Sequence, residues 1–297
     1  MLTVFGSVVL DTIHTPAGTY TDGLGGSSVY AAISASRFTR PNLVARGGGD
    51  LPESHVRMLD GMMDTGGLGG MDGMTFRYEA RYLDDFQTRE DIRVEPNVPE
   101  GYAPRVPEGY RGSEFVYLAN EDPVQQLRVL EQFDGPEFVM CDTIGHWIQN
   151  KRDDVVRVLG SVDAVIINDT EARELTGVYN LVRCARDISE WGARHVIIKK
   201  GEHGSILFSG GQAFPLPAYP LDAVADPTGA GDAFAGAMMG HLASDGRTDL
   251  PSLRRACMYG NVMGSFAVER AGTAGLTEPP DGTVEGRVRE YRSMVCG

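Results

Sequence analysis

Basic residues are scarce here relative to acidic ones. The chain has 27 Lys and Arg against 41 Asp and Glu, a formal charge of −14 and a pI near 4.8. That deficit argues against nonspecific nucleic-acid binding, which Lys and Arg drive by neutralising phosphates. An anionic partner would have to be held locally, by a helix N-terminus, a bound cation or one or two basic side chains. Cysteine is also sparse. Cys141, Cys184, Cys257 and Cys296 stand apart, with no CxxC pair and no His at zinc-ligand spacing, and read as free thiols in a reducing compartment. No apolar run approaches the roughly 18 residues of a membrane span. The opening MLTVFGSVVLDTI has no basic flank and soon meets Asp11 and His14, so it reads as a first strand rather than a signal peptide. The expectation is a cytoplasmic protein with a small-molecule partner and neither membrane nor nucleic acid. A G-x-G-x-x-G turn is missing too: neither GSVVLD nor GLGGSS supplies it, which weakens a dinucleotide-dependent oxidoreductase. Repeats and dividing linkers are absent, and residues 1–297 read as one unit.

Short β-rich runs alternate with helical patterns, as expected of a mainly parallel sheet covered by helices on both faces. FVYLAN, FVMCD, AVIIN and HVIIKK are compact strand candidates. Between them lie helix candidates around Asp122 to Gln132, Lys151 to Leu159, and Asp169 to Trp191 with a break near Gly177. SILFSGGQAFPLP reads as a hairpin with a Gly-Gly turn. Two polar, β-leaning excursions, His14 to Gly26 and Thr75 to Pro99, break the rhythm and could pair over one sheet face as a lid, at about residues 12–25 and 75–98. Gly61 to Met74, rich in Gly and Met, reads as a flexible connection.

The densest chemistry lies in DPTGAGDAFAG, Asp226 to Gly236. Glycines let a ligand approach main-chain N–H groups, and the apolar run after them suits a buried helix whose N-terminus attracts phosphate. A carboxylate there, Asp232, suits a general base for an attacking hydroxyl. The competing reading makes Asp232 a helix cap and the glycines a turn. Further candidates fall at expected strand ends: Asp11 in GSVVLD, Gly25 and Gly26 in GGSSVYAA, Asn168 and Glu171 in NDTE, and Lys199, Gly201 and Gly204 in KKGEHG. A parallel sheet gathers such ends along one edge.

Together these motifs resemble the ribokinase-like carbohydrate kinases, the phosphofructokinase-B family, over nearly the whole chain, most specifically in DPTGAGDAFAG. The resemblance implies a three-layer α/β fold with a mainly parallel central sheet flanked by helices and a small β lid. It also implies ATP-dependent transfer of the γ-phosphoryl group to a hydroxyl of a small sugar or polyol. A nucleoside kinase of the same family, or a sensor that binds sugar or nucleotide without chemistry, are the alternatives. By the resemblance Asp232 is the base, and the N–H groups of Gly229, Ala230 and Gly231 form the anion hole. Asp226 and Thr228 fall where many members bind a monovalent cation such as K+. Asn168 and Glu171 match the motif that organises Mg2+ through water, though Asn followed by Glu at the third helical position is also a capping box. Lys199, Gly201 and Gly204 resemble the stretch bordering the nucleotide, and Gly272 lies in AVERAGTAG, similar to the segment flanking adenine. A plain turn at the glycines and a solvated strand end at Lys199 compete with these roles.

Asp11 would hold sugar hydroxyls, and Glu121 lies where some relatives place a carboxylate on the sugar. Asp142 and Trp147 of CDTIGHW could face the pocket, with core packing the competing reading for Trp147. Ribose-specific members carry Asn five residues after the first glycine of the N-terminal pair, where this chain has Tyr30. The loss of an amide disfavours ribose and favours another polyol, a cyclitol or a nucleoside stacked on the ring. Lid-to-lid pairing into a homodimer is a further expectation, although Arg77, Glu79, Arg81, Asp84 and Asp85 could equally protect that edge.

Overall fold

A computed structural model of the chain describes residues 1–69, 73–83, 89–98, 101–279 and 282–296. The first elements are β1 (Leu2–Ser7), β2 (Val9–Thr15), β3 (Gly18–Gly25), α1 (Ser27–Ala35), β4 (Asn42–Arg46), α2 (Glu53–Met62), β5 (Asp64–Gly69), β6 (Phe76–Tyr82) and β7 (Arg89–Glu95). Alternation then sets in with β8 (Phe115–Leu118), α3 (Pro123–Leu130), β9 (Phe138–Asp142), α4 (Gly145–Asn150), α5 (Arg152–Leu159), β10 (Ala164–Asn168), α6 (Asp169–Thr176), α7 (Leu181–Glu190) and β11 (His195–Lys199). The hairpin β12 (Ser205–Ser209) and β13 (Gln212–Leu216) leads to α8 (Ala230–Asp245), α9 (Leu250–Val268), α10 (Ala274–Thr277) and α11 (Thr283–Cys296).

A nine-stranded sheet runs in the order β13-β12-β11-β10-β9-β8-β1-β4-β5, parallel from β11 to β5 and antiparallel at the β12–β13 end. Its strands are apolar on both faces because both are covered. In β10, Ala164 and Ile166 enter the core beneath α1, α8 and α9, while Val165 and Ile167 enter the opposite core with Val155, Leu175 and Ile188 from α5 to α7. Gly177 ends α6 in the left-handed region at φ 70°, which places the expected helix break. Gly210 and Gly211, both at positive φ, turn the β12–β13 hairpin.

Two readings need correction. LTVFGSVVL is two strands: the chain leaves the main sheet at Val8 and enters a four-stranded sheet of order β3-β2-β6-β7. The segment read as a flexible connection holds the end of α2 and the edge strand β5, with Gly67 closing to backbone contact on Leu43. Asp84, Asp85 and Pro99 lie outside the described residues.

Helix α8 is buried nearly all round because it lies against α1 on one side and α9 on the other. The approach to α1 depends on small residues. A Cβ on Gly236 would lie 2.0 Å from the Ala31 carbonyl oxygen, and one on Gly240 would lie 2.8 Å from the Ala35 Cα. This contact seats the start of α8 against the sheet edge. Gly236→Ala should therefore lower unfolding free energy by about 1–3 kcal/mol in urea titration, as overpacking against backbone does. Gly61→Ala, in α2 with nothing within 4 Å of the added methyl, should be neutral or stabilise by up to about 1 kcal/mol.

Candidate active site

The strands from β1 and β8 to β11 end along one edge of the main sheet, and the four-stranded sheet stands over that edge. Between them lies a cleft of about 650 Å3. Ser7, Asn120, Glu121, Asp142, Glu171 and Lys199 line it from the strand ends, Asp11 from β2, and Thr228, Gly229, Gly231 and Asp232 from the turn into α8. Crossover connections bring strand C-termini to one edge, so residues distant in sequence meet there.

Local chemistry seats each part. Gly26, at φ 102°, caps α1, and any Cβ there would lie 2.4 Å from the Ser7 carbonyl oxygen. The serines that follow pin the helix to the strand ends: Ser27 Oγ donates to the Asn120 carbonyl at 2.8 Å and Ser28 Oγ to the Ser7 carbonyl at 2.7 Å. Gln126 Nε2 donates to the carbonyls of Ala119 and Asp142 at 2.9 and 3.0 Å, holding the ends of β8 and β9 together.

The charged centre is built around Lys199. Its ammonium donates to Asp142 Oδ2 at 3.0 Å, and Asp142 Oδ1 accepts from the Thr143 N–H at 2.8 Å. Burial pulls the Lys199 ammonium down, but the carboxylates of Asp142, Glu171 and Asp232 outweigh it and leave it raised. Asp232 is pushed up to about 8, chiefly by burial and then by the charge of Asp142, with Lys199 pulling the other way. Glu171 is pushed up to about 7 by burial, partly offset by Lys199. Such displaced carboxyls suit proton transfer near neutral pH.

Gly229, at φ 75°, is the N-cap of α8 and places Asp232 in the first turn. The Ala230 N–H donates to the Pro227 carbonyl at 3.3 Å. Among the described residues, the amides of Gly229, Gly231 and Asp232 carry no hydrogen bond and are open to an anion at the positive end of the helix. Of the expected trio, Gly229 and Gly231 line the cleft, and Ala230 gives its N–H to the turn. Gly231 has no space for a side chain without meeting Lys199, whose Nζ would lie 2.8 Å from its Cβ.

Gly25, Asn168, Gly201, Gly204, Asp226, Ala230 and Gly272 do not line the cleft. Gly25 leaves space for Asp11, whose Oδ2 would lie 1.8 Å from an added Cβ. Asn168 and Glu171 form the reciprocal capping box, Asn168 Oδ1 accepting from the Glu171 N–H at 2.8 Å and Glu171 Oε2 from the Asn168 N–H at 3.0 Å. Glu171 nevertheless borders the cleft, so its two readings are compatible. Gly204 packs its backbone on β13, 2.1 Å from a would-be Cβ to the Leu216 carbonyl oxygen, and Gly201 is an exposed turn residue at φ 54°. Gly272 faces Tyr20, and its N–H donates to Asp226 Oδ2 at 3.0 Å. Asp226 Oδ1 accepts from the Thr228 N–H at 2.9 Å, so this buried carboxylate ties the α8 turn to the segment after α9.

Tyr30 borders the cleft, yet it is 2% exposed and its ring lies directly beneath Gly229. It supports the turn and offers no open stacking face. The aromatic surface comes from elsewhere: Tyr102, Trp147 and, from β6, Phe76. Trp147 is fixed by its indole N–H donating to Asn120 Oδ1 at 3.0 Å. Tyr102 carried no sequence signal, because its Pro-rich surroundings have no period to read. A second cleft of about 840 Å3, bordered by Tyr219, Phe266, Arg270, Gly275 and Arg287, lies among the C-terminal helices.

Comparison with known proteins agrees with this geometry. Residues 113–279 match the pfkB family carbohydrate kinase model. The cytidine kinase of Thermococcus kodakarensis is 31% identical over 245 residues, 80% of this chain and 87% of that one. The fold matches aminoimidazole riboside kinase from Salmonella enterica with a TM-score of 0.81 at 19% identity, covering 97% of this chain and 99% of that one. It also matches fructokinase from Vibrio cholerae with a TM-score of 0.79 at 19% identity, covering 97% and 98%. A family match over more than half the chain, joined to a strand-end cleft that holds an acid at an open helix N-terminus, places this chain in the pfkB family of carbohydrate kinases.

Proposed function

We propose that this kinase transfers the γ-phosphoryl group of ATP to a hydroxyl of a sugar or nucleoside, with Asp232 as the base. The carrying observation is Asp232 itself: a carboxyl pushed up to about 8 by burial and Asp142, one residue beyond the open Gly231 amide in the cleft. The acceptor hydroxyl gives its proton to Asp232 as its oxygen bonds to phosphorus. The bond from phosphorus to the bridging oxygen breaks, and ADP leaves with those electrons. The open amides of Gly229, Gly231 and Asp232 and the Lys199 ammonium face the charge that develops on the transferring group. Asp11 holds acceptor hydroxyls, and the four-stranded sheet acts as the lid.

The site fits a magnesium nucleotide. Glycine occupies the point of closest approach, and Glu171 and Asp142 supply hard oxygen ligands of the kind Mg2+ prefers, through water. Bound Mg2+ would neutralise phosphate charge. The nucleotide base takes the second cleft, beside Phe266 and Gly275. A monovalent cation such as K+ would meet the remaining lone pairs of Asp226. The fructokinase of Vibrio cholerae has been crystallised with fructose, ADP and potassium ion.

Asp232→Asn should lower kcat by about 10²–10⁴-fold, with KM for both substrates within a few-fold in steady-state assays. The same variant gives a stability readout. Because the folded value of Asp232 is raised, its favourable contribution is full below the unfolded value of 3.8 and is lost as pH rises through about 8. Thermal melts should find Asp232→Asn close to wild type near about pH 4 and more stable than wild type at about pH 8–9. Gly231→Ala should raise the KM for ATP at least about tenfold by crowding Lys199. Its melting temperature should stay near wild type, since a flexible lysine head can move.

A further inference from the structure

The cleft is divided in character. Asp11, Asp142, Lys199 and Asp232 make one part strongly polar, whereas Phe76, Val94, Val98, Tyr102, Pro104 and Trp147 add apolar and aromatic surface among polar neighbours such as Asp91, Glu121, Gln125 and His146. Val94 and Val98, on and beside lid strand β7, are 52% and 53% exposed although they border the cleft. The two parts adjoin, since Trp147 follows Asp142 by five residues and donates to Asn120 at a strand end. Tyr102 lies with Arg46, whose guanidinium is 6.0 Å from its ring centroid. Tyr102 is also near Glu121 at the end of β8, whose charge, after burial, raises the Tyr102 hydroxyl above its ordinary range.

A free sugar carries hydroxyls on every side, and those turned to this wall would lose water without gaining partners. A heteroaromatic base has two apolar faces that such a wall can cover. Trp147 borders the cleft in a fixed position, its indole N–H held by Asn120, the Lys151 ammonium 5.5 Å from its ring centroid and the His146 ring edge-on at 4.7 Å. Charge narrows the acceptor further. Seven acidic side chains line the cleft against two basic ones, Arg46 and Lys199. Lys199 is paired with Asp142, and Arg46 donates to the Met74 carbonyl at 3.1 Å. A phosphate already on the acceptor would meet net repulsion there.

We infer that the acceptor is an unphosphorylated nucleoside, its sugar beside Asp11 and Asp232 and its base against Trp147, Tyr102, Phe76 and Val94. This rests on the kinase reading above. The test measures ADP release with cytidine, uridine, adenosine and inosine, with free ribose and fructose, and with ribose 5-phosphate and CMP. The best nucleoside should exceed every free sugar and every phosphorylated acceptor at least about 100-fold in kcat/KM. Trp147→Leu should raise nucleoside KM about tenfold, the scale of one lost base stack, with kcat within about threefold and the KM for ATP near wild type. Val94→Asp, at an exposed position that does not threaten folding, should raise nucleoside KM in the same way. A free pentose or hexose used as well as any nucleoside would overturn the inference while leaving the kinase reading intact. So would nucleoside KM values that neither variant moves. A folded enzyme that releases no ADP with any acceptor would overturn the kinase reading itself.

Discussion

Everything in the cleft depends on how one half-buried ammonium is shared among several carboxylates. Lys199 pairs with Asp142 at 3.0 Å, while Glu171 and Asp232 compete for the same charge from a little further off. One cation cannot stabilise three anions away from water, so the surplus appears as raised affinity for protons at Asp232 and Glu171. Such a site is poised to exchange protons for external positive charge. It leaves Asp232 with a raised proton affinity at the edge of the cleft. The arrangement also costs folding stability at neutral and higher pH, the usual tension between an active site and the fold that carries it.

The rest of the molecule holds that cluster in place. The capping box at Asn168 and Glu171 fixes Glu171 at the end of β10, and the buried Gln126 clamps β8 to β9 so that Asp142 meets Lys199 across the sheet. Glycines at 236 and 240 let α8 lie against α1, which sets where its N-terminus and Asp232 arrive. Asp226 then joins the α8 turn to the segment after α9, linking the acceptor cleft with the second cleft among the C-terminal helices. The two clefts are thus bordered by one continuous, tightly packed stretch of chain.

The lid has a different logic. Val8 is the only residue between β1 and β2, so β1, an interior strand of the main sheet between β8 and β4, continues directly into the four-stranded one. Asp11 is carried on that continuation, beside the glycine gap at Gly25 that admits its carboxylate. This covalent connection ties the cleft residue Asp11 to both sheets. The lid contributes apolar side chains to the cleft, so closing it is favoured by a ligand with apolar faces to cover.

Periodicity and glycine placement made the parallel strands, the helix break at Gly177, the β12–β13 hairpin and the Asp232 turn legible, because each rests on interactions within a few residues. The acid, its open glycine neighbours and the family they indicate came from sequence for that reason. Tertiary structure alone decided the rest. Tyr30 was read as a stacking face and is a buried support, since burial depends on what packs from elsewhere. That the Ala230 N–H bonds the Pro227 carbonyl is likewise a matter of turn geometry, which is not written in composition. Tyr102, Trp147 and Val94 reach one wall from three separate segments. Local propensity acts over a few residues, whereas a cleft is defined by side chains a hundred positions apart, and only the packed chain brings those together.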